Sequence, residues 1–75
     1  MNFNIKIKNP KGKEKILNVN SNDKISAAKS KAGYTGYIFK FNGEVLKDDK
    51  TIGYYGIEED DVIILNTPQP GGMNL

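Results

Sequence analysis

The chain has 75 residues and a formal charge of +2, with eleven lysines, no arginine and nine acidic residues. That length allows one domain and one modest core. Cysteine, histidine and tryptophan are all absent, which removes disulfides, thiolate metal sites, a cysteine nucleophile and the commonest general base.

Cysteine-free usage suits a reducing compartment. No apolar run is long enough to span a bilayer, and the first ten residues, MNFNIKIKNP, alternate where a signal peptide would be continuously apolar. A soluble cytoplasmic protein is expected, with the nucleus as the alternative in a eukaryote. Nucleic-acid recognition leans on the planar fork of arginine. Its absence argues against a dedicated nucleic-acid role.

Met1 to Lys8 places Phe3, Ile5 and Ile7 on one face and Asn4, Lys6 and Lys8 on the other, the period of a half-buried strand. Asn9-Pro10-Lys11-Gly12 is turn chemistry. Glu14 to Asn20 follows with Leu17 and Val19 in phase and Ile16 opposite, which completes a β-hairpin. Asp23 is the expected N-cap of a helix of about nine residues. Ile25, Ala28 and Ala32 fall on one face of it, Lys29 and Lys31 in its last turn, and Gly33 just beyond its end.

Tyr34 to Gly36 reads as a loop and Tyr37 to Phe41 as a strand. Asn42-Gly43 is a strong hairpin signal, with Val45 and Leu46 as the return strand. Thr51 can cap a turn carrying Ile52 and Tyr55. Glu58 to Asp61 is an acidic loop. Val62 to Leu65 is apolar enough for a central strand. Beyond Asn66 the pattern stops.

Strands grouped around one helix predict an α+β protein, a mixed sheet of four or five strands packed on one short helix. The last strand would pair parallel to the first. The expected core is Phe3, Ile5, Leu17, Val19, Ile25, Ala28, Phe39, Phe41, Leu46, Ile52, Tyr55, Ile57, Ile63 and Leu65.

This element order resembles the ubiquitin family and its β-grasp fold. The similarity covers nearly the whole chain and is clearest in FNGEVLKDDKTIGYYGIEEDDVIIL, Phe41 to Leu65. Leu46, Asp48, Thr51, Ile52, Tyr55 and Ile57 carry it. In the family the matching tyrosine bonds the backbone of the preceding loop, so Tyr55 is expected to do so near Lys47. Gly71-Gly72 falls in register on the family's terminal di-glycine. The resemblance divides the chain into a domain, residues 1–67, and a tail, residues 68–75.

The departures are informative. The first hairpin is about two residues longer than ubiquitin's, and the helix with its following loop about four shorter, changes of length that cost little. Ubiquitin's apolar recognition patch corresponds here to positions that include Lys40, Ile64 and Asn66, so ordinary ubiquitin receptors are expected to bind poorly. Two familiar chain-building lysines are replaced by Glu44 and Glu59. An arginine read by ubiquitin's activating enzyme is Pro68. The chain is therefore ubiquitin-like without being ubiquitin.

The resemblance implies a protein modifier made as a precursor. A peptidase would cut between Gly72 and Met73. An ATP-dependent activating enzyme and a carrier enzyme would then join the Gly72 carboxylate to an amine on a target protein. Two glycines allow close backbone approach in a narrow channel, and Pro68 and Pro70 favour extended geometry. The tail PQPGG also has linker composition. It leaves open a non-conjugated interaction domain of a larger protein, for which TIGYYGI resembles the ubiquitin-like domain of the splicing factor 3a large subunit. A sulfur-carrier protein of the same fold is a third possibility.

Lys6, Lys8, Ile38, Lys40, Ile64 and Asn66 are the expected partner-binding surface, on the outer face of the sheet. The acidic runs at Asp48-Asp49 and Glu58 to Asp61 match no EF-hand spacing. No nucleophile–base constellation exists, so no enzyme activity, metal or cofactor is expected. The protein is expected to be a monomer.

Overall fold

The computed structural model describes residues 2–67. The order is β1 (Asn2–Lys8), β2 (Glu14–Asn20), α1 (Ile25–Ala32), β3 (Ile38–Phe41), β4 (Glu44–Val45), a 3₁₀ turn (Gly53–Tyr55) and β5 (Val62–Asn66). The strands form one mixed sheet in the order β2-β1-β5-β3-β4. β1 and β5 lie centrally and pair in parallel, as the apolar run of β5 predicts.

The core is built from alternate residues of the strands, closed by the helix. Ile5, Ile7, Leu17, Val19, Phe39, Ile63 and Leu65 meet Ile25, Ala28 and Ala32, with Leu46, Ile52 and Ile57 filling the end. Ile7 and Ala32 are buried in addition to the expected set. Phe3, Phe41 and Tyr55 are corrections in the other direction. They are partly buried and pack against the core from its margin. Phe3 lies near the start of β1 and Phe41 at the very end of β3, at the ends of their strands where fewer neighbours surround a side chain.

Asp23 does not cap the helix. The N-cap is Lys24, which has no side-chain cap bond. The Asp23 carboxylate instead turns back and accepts from the Asn20 amide at 2.9 Å, while the Asp23 amide donates to the Asn20 carbonyl at 2.8 Å. The helix start is anchored from outside, by the Ile25 amide on the Lys50 carbonyl and the Ser26 amide on the Asp48 carbonyl. Its end is as expected. Gly33 is left-handed at φ 82°, the Tyr34 amide reaches the Lys29 carbonyl at 2.8 Å and the Gly33 amide that of Ser30 at 3.2 Å, the paired bonds of a Schellman motif.

The strand bounds shift slightly from expectation. β3 begins at Ile38, and β4 is Glu44–Val45 with Leu46 buried just after it. Asn42 and Gly43 both have positive φ, the type I′ turn whose twist suits a two-residue hairpin.

Four asparagines form a side-chain ladder on the outer face of β1 and β2. Asn20 donates to Asn2, Asn2 to Asn18, and Asn18 to Asn4, at 2.8 to 3.1 Å. The register explains it. The Asn4 carbonyl accepts from Asp60, away from β2, so Asn4 and Asn18 are a non-hydrogen-bonded pair. Side chains approach most closely in such pairs.

Candidate functional site

The strand registers bring all six expected surface residues onto one face. Lys8 stands opposite Ile64, and Ile64 opposite Lys40. Ile38 pairs with Asn66, and Lys6 with Val62. Each alternates with a buried neighbour: Ile7, Phe39, Ile63 or Leu65. Ile64, 43% exposed, is therefore flanked by two lysines. The centre of this face is thus an apolar residue with a lysine on either neighbouring strand.

Three apolar residues outside the expected set extend this face. Val45 is across from Lys40, Ile16 across from Lys6, and Val62 on the other side of Lys6. Ile16 and Val45 are at least half exposed. Val45 was readable in principle, because a two-residue turn at Asn42-Gly43 fixes the register that sets it against Lys40. Glu14 faces Lys8 at one end of the surface.

The conjugation and processing residues Gly71 and Gly72, and the Gly72–Met73 bond, lie outside the described residues. Thr67, the last described residue, is exposed. Beside it the first hairpin and the loop after the helix flank an open cavity lined by Asn9, Pro10, Lys11, Tyr34, Tyr37, Leu65 and Thr67. Nothing in the hydrophobic period announces this cavity, since both of its walls are loops.

The remaining marked residues have structural partners. The Tyr55 hydroxyl accepts from the Lys47 amide at 2.8 Å, as the resemblance implies. The N-cap of the 3₁₀ turn is Ile52 and not Thr51, whose hydroxyl nonetheless accepts from the Tyr54 amide at 3.1 Å. Lys29 is buried, lies 5.7 Å from the centre of the Phe39 ring and donates to the Asp48 carboxylate at 2.6 Å. In the acidic loop the Asp61 carboxylate accepts from the Glu58 amide at 2.7 Å and the Asp60 amide donates to Asn4. The Asp61 carboxylate thus serves the turn. Among the described residues no three acidic side chains converge to hold a metal, and no helix is long and apolar enough to cross a membrane.

Comparison with known proteins agrees with this architecture. The sequence profile of the ubiquitin family matches residues 5–70, the span from the first buried residue of β1 to the residue before the di-glycine. A search of curated proteins gave no match. With a five-stranded mixed sheet, one helix, the tyrosine-to-loop bond and a family match over most of its length, the chain belongs to the ubiquitin family.

Proposed function

We propose that this protein is a ubiquitin-like modifier, activated at Gly72 and joined to target amines. The single observation that carries the proposal is register. The family match ends at residue 70, Gly71-Gly72 are the next two residues, and the resemblance to ubiquitin sets them on its terminal di-glycine. A peptidase hydrolyses the Gly72–Met73 bond. The freed carboxylate attacks the α-phosphate of ATP, giving an acyl-adenylate and pyrophosphate. An enzyme thiol displaces AMP, and an amine then displaces the thiol to leave an isopeptide bond. The modifier supplies no catalytic group, only a threadable tail with glycines at its reacting end. The setting is the cytoplasm.

The outer face carries the contact with target-side partners, centred on Ile64 between Lys8 and Lys40 and bounded by Lys6, Ile38 and Asn66. This surface also favours a second reading, a non-conjugated interaction domain. Recovering the protein from its own cells and measuring intact mass, with Gly72→Ala alongside, separates the two. Loss of everything after Gly72, with heavier Gly72-dependent adducts, is expected of a modifier. Unadducted chains retaining Met73 in both samples would leave only the interaction domain.

A further inference from the structure

We infer that the cavity between the first hairpin and the loop after the helix is a docking pocket for a partner peptide. That peptide carries one large apolar side chain flanked by Asp or Glu. The cavity is about 300 Å³, room for one bulky side chain and at the bottom of the range for small-molecule sites. Its floor is the buried Leu65, and its wall is Tyr34 set edge-on to Tyr37 with ring centres 5.3 Å apart.

Both walls are held in place without a partner. The Asn9 side chain accepts from the amides of Lys11 and Lys13, each at 3.0 Å, and the Asn9 backbone bonds Lys13 and Gly12. Opposite, the Schellman bonds fix Tyr34, and the Tyr37 amide donates to the Tyr34 carbonyl at 3.0 Å. Lys15 lies 5.6 Å from the centre of the Tyr34 ring and is tied to the Ala32 carbonyl at 2.8 Å. A preformed apolar pocket loses little entropy on binding.

Charge chooses the occupant. None of the described lining residues is acidic, Lys11 is among them, and Lys13 is in the same loop. An anchor with carboxylates beside it would meet complementary charge. The pocket lies apart from the Lys8–Ile64–Lys40 row, and the proposal does not depend on conjugation.

The test is a titration of the isotope-labelled full chain, followed by NMR, with the peptide acetyl-Glu-Glu-Leu-Glu-Glu-amide. Expected are saturable shifts of the Lys11, Tyr37 and Thr67 amides, weakened about tenfold when serine replaces the leucine. Lysines in place of the glutamates should abolish them. Lys11→Glu, an exposed change that leaves the Asn9 bonds intact, should weaken binding several-fold in a chain that still folds. Equal responses to all three peptides, no saturation, or shifts confined to Lys6, Ile16 and Val62 would overturn the proposal. Movement of the same amides on Met73→Ser without peptide would give the pocket to the chain's own tail, and would overturn it equally.

Discussion

The backbone amide of Lys47 donates to the phenolic hydroxyl of Tyr55 at 2.8 Å. One bond thus joins the loop after β4 to the 3₁₀ turn that follows it. Tyr55→Phe keeps the ring and its edge-on contact with Tyr54 but removes the acceptor. The expected loss is about 1 kcal/mol in urea unfolding, with faster hydrogen exchange at the Lys47 amide. An unchanged exchange rate would mean the bond does not hold the loop.

Ile63 and Ile64 are adjacent in β5 and point to opposite faces. Ile63→Ala empties a fully buried site and should cost about 2–5 kcal/mol, a large part of the stability of a domain this size. Ile64→Ala should change stability by less than about 0.5 kcal/mol. Comparable losses would place the sheet in the wrong register.

Gly33 offers a test of backbone strain alone. A Cβ there meets nothing within 4 Å, yet φ is +82°. Gly33→Ala should therefore cost about 1–2 kcal/mol from left-handed geometry. Placing D-alanine at the same position by chemical synthesis should recover the loss. Failure of D-alanine to do so would mean that crowding, not chirality, sets the cost.

Lys29 and Asp48 form an asymmetric ion pair, with side chains 10% and 62% exposed. Asp48→Ala leaves a buried ammonium without its partner and should cost about 1–3 kcal/mol. Lys29→Met keeps the packing of the stem and strands only a solvated carboxylate, so it should cost less. The reverse order in denaturant unfolding would show the pair to be unimportant beside the packing.

Most of the sheet was legible because alternation in β1, β2 and β5 marks the buried face residue by residue, and Asn42-Gly43 pins a two-residue turn. The six outer-face residues follow from the same alternation once the strand order is known. Asp23 was misread because a carboxylate just before a helix can bond backward as well as forward. The Asn20 amide, directed outward from the open edge of β2, lies within its reach. The pocket was illegible for a different reason. Tyr34 and Tyr37 belong to a loop, and only the fold sets that loop beside Pro10 and Lys11. The tail's meaning rests on register with a family and on nothing in its own period.

The outward side of β2 has a consequence for how these molecules meet. Because Asn4 and Asn18 are not backbone-bonded to each other, the Asn18 carbonyl points away from the sheet, and Lys31 caps it at 3.0 Å. Asp23 occupies both the amide and the carbonyl of Asn20. An open sheet edge is a template on which another chain can add a strand, the first step toward aggregates. Here three of the four outward backbone groups of Asn18 and Asn20, all but the Asn18 amide, are already bonded, by one lysine and one aspartate. An incoming strand finds free backbone toward Glu14 and then only the Asn18 amide, an interrupted template that discourages growth from copy to copy.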